Sequence, residues 1–265
     1  MRPYSLTEEA VLSVLPRGGI RWSVRAFGTV RSTNDVGRRL AEAGAPEGTL
    51  VVAETQTAGR GRRGSVWHSP PGGLWFSLIV RPGLGASRAA GLSVVAALAV
   101  ARAVGRAAAT RPQVKWPNDV FVSGRKLAGV MMESAPDSAL VLGAGVNVNV
   151  PEDELPACEW YEATSVLRET GVPLDRARLL GGILEEFEPL YRAYAEFHFR
   201  GILDEWRRLS LAMGRSVRVE SPSGAIEGTA DGLADDGSLV VRLADGTREH
   251  IAPLGGVTLS ILDKD

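Results

Sequence analysis

The chain has 265 residues, 45% of them apolar and 23% charged, with 30 basic side chains against 31 acidic ones. That length exceeds the roughly 100–200 residues of one ordinary domain and predicts a large domain with a small appendage, while the balanced charge excludes a global nucleic-acid or anionic-membrane surface. The single cysteine, Cys158, excludes an internal disulfide, and the scattered His68, His198 and His250 exclude a zinc constellation, so no protein-bound metal is expected.

In chain order, the start MRPYSLTEEAVLSVLPRG carries no sustained apolar stretch behind its basic residue, so no secretion signal is read there. Ser32-Thr33-Asn34-Asp35 opens a short helical pattern and, with a hydroxyl three places before an acid, approximates a capping box. Gly44, Pro46 and Gly48 close that helix, and 49–53 and 74–80 read as buried strands. Residues 88–108 form a largely buried helix; their uncharged run, 89–101, is shorter than the ~20 residues of a bilayer crossing. Together these point to a cytoplasmic protein without a membrane partner.

Residues 121–122 and 126–133 flank Ser123-Gly124 as a hairpin. Residues 140–150 read as a strand interrupted by Gly143 and Gly145, most simply a bulged one. A long helical pattern covers 176–209, and Pro189 within it predicts a kink or break. Beyond Gly214, short β-type stretches separated by Asp-Gly turns suggest a small barrel appended to an α/β domain.

Gly59-Arg60-Gly61-Arg62-Arg63-Gly64 matches the dinucleotide fingerprint G-x-G-x-x-G only in letters. Pro70, Pro71, Gly72 and Gly73 follow, so no helix exists to meet a pyrophosphate. Three readings remain for the segment: an anion-binding loop that orders when its ligand arrives, a solvated basic loop, and an RNA-contacting loop with Trp67 to stack on a base. Lys115-Trp116-Pro117-Asn118-Asp119 is either a turn around a buried tryptophan or part of a site. Lys126 lies across the expected hairpin, where its ammonium and that of Lys115 reach one pocket.

The ordered set Ser32-Thr33-Asn34, QTAGRGRRGSVW (56–67), KWPND (115–119), RKLAG (125–129) and GAGVN (143–147) resembles the biotin protein ligase family over roughly residues 28–150. The resemblance implies an α/β (α+β) fold in two parts. A central mixed β-sheet flanked by helices, the biotin/lipoate ligase catalytic domain, spans 1–212, and a small SH3-like β-barrel spans 213–265. It also implies an ATP-dependent ligase that makes biotinyl-5′-AMP and passes biotin to a lysine of a biotin carboxyl carrier domain, with Mg2+ accompanying the nucleotide phosphates.

Carried onto this chain, the family's biotin contacts fall on Ser32, Thr33, Asn34 and Gln56, with Arg60, Gly61 and Arg62 closing over the ligand and Lys126 on its carboxylate. Trp67, Lys115, Asn118 and Asn147 would serve the nucleotide. Arg62, Lys126 and Asp119 would carry the chemistry, Asp119 by orienting the incoming amine. Ser65 departs from the family, standing where many members have another loop arginine, which removes one phosphate contact. Only 31 residues precede Ser32, fewer than the roughly 60 of a DNA-binding domain with its own core, so a ligase without repressor function or nucleic-acid partner is expected. A homodimer is compatible with the resemblance. A lipoate or octanoate transferase and an RNA-binding module are the competing readings.

Overall fold

A computed structural model describes residues 5–157, 161–196, 199–254 and 256–262; Cys158 and His198 lie outside the described residues. The larger part is a seven-stranded sheet in the order β1-β2-β3-β7-β6-β5-β4. Its strands are β1 (Ser23–Val30), β2 (Thr49–Gln56), β3 (Leu74–Val80), β4 (Gln113–Lys115), β5 (Asp119–Val122), β6 (Arg125–Ser134) and β7 (Leu140–Val146). Only β1 and β2 run parallel; the other neighbours are antiparallel, which makes the sheet mixed as expected.

The two faces carry different helices. α4 (Leu92–Ala108) packs on β5 and β6 and against α6 (Arg176–Ala195). Its alanines and valines are buried without a break from Leu92 to Ala101, since small side chains let the helix approach sheet and neighbour closely. The stretch 88–108 is long and apolar enough to cross a membrane by composition, yet most of it is core here. α2 (Thr33–Glu42) covers the other face over β2, β3 and β7. Gly37 permits this contact: a Cβ there would lie 2.9 Å from Val141.

The expected break at Pro189 is absent. The proline sits inside α6, and the next helix, α7 (Arg200–Leu209), begins beyond residue 199. Pro189 and Glu185, whose carbonyl loses its usual donor, both lie on the exposed face, so the freed carbonyl is not buried.

The C-terminal part is a five-stranded antiparallel sheet in the order β11-β10-β9-β8-β12, formed by β8 (Ser216–Ser221), β9 (Gly224–Leu233), β10 (Leu239–Arg242), β11 (Arg248–Ile251) and β12 (Thr258–Ile261). It is tied to the sheet and helices of the larger part at several points. Leu211 donates its amide to the Val114 carbonyl at 3.0 Å. The buried Trp116 indole donates to the Gly237 carbonyl in the β9–β10 turn at 3.0 Å, and the Tyr194 hydroxyl donates to the Asp236 carbonyl at 3.1 Å. The short helix α1 (Glu8–Leu12) and strand β1 were not legible beforehand; they pack on each other, and α1 also touches α6.

Candidate active site

The sheet face under α2 opens into a cavity of about 640 Å³ that also takes its wall from β12 of the small domain. Glycines clear its floor. On β7, Gly143 and Gly145 share that face by the two-residue period of a strand. A Cβ on Gly143 would stand 2.1 Å from Asn34 Oδ1, and one on Gly145 would stand 2.3 Å from Trp67 Nε1. Gly129 of β6 pairs with Gly145, so the Trp67 ring lies on a patch of bare backbone. β7 is regular rather than bulged; its glycines are there for clearance.

The bulge is in β6. Val120 pairs with Ala128 and Phe121 with Lys126, leaving Leu127 as the extra residue. Lys126 is out of phase with Gly129, Met131 and Glu133, and the bulge returns its side chain to their face. Its ammonium lies 2.8 Å from Asp119 Oδ2 and over the rings of Tyr161 and Trp67, at 4.5 and 5.4 Å.

One end of the cavity is lined by the uncharged side chains of Ser32, Thr33, Asn34 and Gln56, densely hydrogen-bonded and backed by the Glu133 carboxylate. Gln56 Oε1 accepts from the Thr33 amide at 2.8 Å and from its hydroxyl at 3.2 Å, while Gln56 Nε2 donates to Ser69 Oγ at 2.8 Å. The Ser77 hydroxyl is 2.7 Å from Thr33 Oγ1 and 2.6 Å from Asn34 Oδ1. Asn34 Nδ2 donates to Glu133 Oε2 at 2.7 Å. The expected cap by Ser32 does not form: its hydroxyl makes no capping bond and lines the cavity instead, and Gln56 bonds the first-turn Thr33 amide. Asp35, the acid of the expected box, goes to Arg60.

The other end is cationic. Arg62 donates to Asn118 Oδ1 at 3.0 Å and to the Leu254 carbonyl at 2.6 Å. Asn118 Nδ2 in turn donates to the Val130 carbonyl at 2.6 Å, fixing the carboxamide. Burial pushes both the Arg62 guanidinium and the Lys115 ammonium below their ordinary values, with Asp119 opposing the shift in each case.

The Arg-Gly segment folds over the cavity as a small hairpin. The Trp67 amide bonds the Gly59 carbonyl, the Gly61 amide bonds the Ser65 carbonyl, and Arg62–Gly64 forms a 3-10 turn at the tip. Ser65 closes this turn through its hydroxyl on the Arg62 carbonyl, 2.9 Å away. Gly59 is required, since a Cβ there would sit 2.5 Å from the Trp67 carbonyl. Each arginine finds its own partner: Arg60 reaches Asp35 at 2.7 Å and Glu133 at 3.4 Å, Arg62 reaches Asn118 and Leu254, and Arg63 comes within 3.5 Å of Thr258 Oγ1. Their side chains therefore diverge to separate partners, although Arg63 still acts on Arg62 as a like charge.

All the expected site residues line the cavity except Asn147. Asn147 is buried beneath the floor, where its Nδ2 donates to the Thr164 carbonyl at 2.9 Å and holds the 163–166 segment against β7. Ser77, Glu133, Tyr161 and the small domain's Leu254 and Thr258 were missed. No local motif marks them; only the β3–β7–β6 pairing brings the first two beside Asn34.

The fold and the cavity define a member of the biotin/lipoate A/B protein ligase group. The model of that family matches residues 27–150, and a biotin protein ligase C-terminal domain model matches 212–252. The "Bifunctional ligase/repressor BirA" of Bacillus spizizenii is 37% identical over 225 residues, covering 83% of this chain and 69% of that protein. The "Biotin--[acetyl-CoA-carboxylase] ligase" of Mycobacterium tuberculosis is 33% identical over 97% of this chain and 96% of its own length. A structure of the Aquifex aeolicus biotin protein ligase in complex with biotin and ATP superposes with a TM-score of 0.77 at 30% identity, over 90% of this chain and 99% of that one. The chain belongs to the biotin protein ligase family and is a ligase.

Proposed function

We propose that this enzyme joins biotin to a lysine of a biotin carboxyl carrier domain in two steps at the one cavity. In the first, a biotin carboxylate oxygen attacks the α-phosphorus of ATP, the bond to pyrophosphate breaks, and biotinyl-5′-adenylate forms. In the second, the carrier's lysine amine attacks the acyl carbon, a carbon–nitrogen bond forms, and AMP leaves with the carbon–oxygen bond broken. The observation that carries the reading is a single cavity with an uncharged, hydrogen-bonding end and a cationic end beneath an arginine lid.

The ureido ring takes the uncharged end, with Ser32, Thr33, Asn34 and Gln56 as its contacts. The Arg60–Gly61 backbone and Arg62 close over the anhydride. Lys126 meets the carboxylate and phosphate oxygens where negative charge moves during both steps. Lys115, Asn118 and Trp67 serve the nucleotide, and Asp119 orients the acceptor amine once Lys126 turns to the phosphate. Magnesium enters with the nucleotide; the carboxylates lining the cavity are Asp119 and Glu220. Folding units of 1–212 and 213–265, ligation as the sole activity and a cytoplasmic location belong to the same proposal.

The test is pyrophosphate release from ATP with biotin, lipoate or octanoate. Release driven by biotin alone is expected. Equal release with an acyl chain would overturn the substrate, and salt-sensitive RNA affinity without AMP release would favour the binding-module reading, which the inward-engaged lid arginines disfavour.

A further inference from the structure

The contacts around the uncharged end form a circuit. From the Trp67 carbonyl at one foot of the lid, hydrogen bonds run through Ser69 Oγ (3.0 Å) and Gln56 to the Thr33 amide, and from the Thr33 hydroxyl through Ser77 and Asn34 to Glu133. Glu133 then reaches Arg60, at the other foot of the same lid. Its two carboxylate oxygens divide the work: Oε2 accepts from Asn34 in the floor, and Oε1 faces the Arg60 guanidinium.

We propose that Glu133 is a positioning residue that couples occupation of the pocket's polar end to closure of the Arg-Gly lid. The inference rests on the biotin ligase reading and deepens it. Asn34 has one carboxamide N–H beyond the one given to Glu133, and the orientation of that group is set by Ser77 on its oxygen and Glu133 on its nitrogen. A ring urea that bonds Asn34 polarises the same amide against Oε2, and hydrogen bonds in such a chain strengthen one another. An acyl chain makes no such bond and leaves the lid foot as it was. Glu133 therefore favours a polar heterocycle twice, in the floor and in the lid. The sequence pattern gives no hint of this, because Glu133 sits in an unremarkable MMES stretch whose register alone puts it on the site face.

The experiment compares the wild-type enzyme with Glu133→Gln and Glu133→Ala, using biotin and ATP. The dependence of pyrophosphate release on biotin concentration gives KM and kcat, and the escape rate of labelled biotinyl-adenylate reads the lid. Glutamine keeps an acceptor for Asn34 but loses the charge facing Arg60, so adenylate escape rises with a smaller change in KM. Alanine removes both contacts, and KM for biotin rises about tenfold or more together with escape, on the scale of a lost charge-assisted hydrogen bond. The split between the two variants is a signature that a purely structural role would not give. Wild-type KM and escape in both variants, or parallel changes with no split, would overturn the coupling. Absence of biotin-dependent release from the wild-type enzyme would overturn the ligase reading itself.

Discussion

The two ends of the cavity are built on opposite principles. At the uncharged end, Thr33, Gln56, Ser77 and Asn34 satisfy one another in fixed directions, and Ser32, Thr33, Asn34 and Ser77 are buried. At the cationic end, Lys126, Lys115 and Arg62 gather around the Asp119 carboxylate, and burial already lowers the pKa of Arg62 and Lys115. A network of neutral groups backed by the Glu133 carboxylate costs little to bury once complete and supplies direction. A surplus of cation is costly to bury and supplies an appetite for anions. On the proposed reading, one end recognises and the other reacts.

If that division holds, Lys126→Ala causes the largest loss, about 10²–10³-fold in adenylate formation measured by pyrophosphate release, with the fold retained. Near-normal turnover would break the comparison at its reactive end. At the recognising end, Gly143→Ala drives a methyl group into Asn34. It should raise KM for biotin about tenfold or more with little change in kcat, since overpacking costs about 1–3 kcal/mol. A fall in kcat alone would show that the floor does not orient the ligand.

Arg62→Gly should release adenylate about tenfold faster and label bystander proteins, the scale of one charge-assisted hydrogen bond. Labelling confined to the carrier would show that another group retains the intermediate. The smallest effect belongs to the lid foot. The Arg60 guanidinium hydrogen-bonded to Asp35 holds that carboxyl below its ordinary value of 3.8. The pair's contribution is complete above the ordinary value and is lost as pH falls through the lower, folded one. Because both partners are more than a third exposed, Asp35→Asn should change protease cleavage within 59–68 by only about two- to fivefold at neutral pH. Strong acid should erase the difference between mutant and wild type.

Much of this was legible in the sequence. The strand at 74–80, the hairpin around Ser123-Gly124 and the chain of short C-terminal strands announce themselves because burial pattern and turn residues agree locally. β1 was not legible: it is a sheet edge with one buried residue, Val24, and its apolar alternation, Val24, Ala26 and Val30, is broken by Phe27 and Gly28. Ser32 and Asp35 looked like a local cap because the side chains that bind a ligand are of the same kinds that cap a helix. Lys126 was found from its neighbours, but not the bulge that aims it, since a register shift is a property of two strands. Asn147 was assigned to the cavity on its motif, whereas the turn of the chain after Val146 takes it below the floor.

The pairing of Lys126 with Asp119 has one more consequence. On the proposed role of Lys126, the enzyme carries its own competitor for the anion position, so an incoming carboxylate or phosphate must first evict an internal one. Apparent affinity is thereby reduced for every anion alike. A weakly held metabolite does not repay that eviction, and a ligand anchored at a second point does, which makes the pair a threshold against casual occupants.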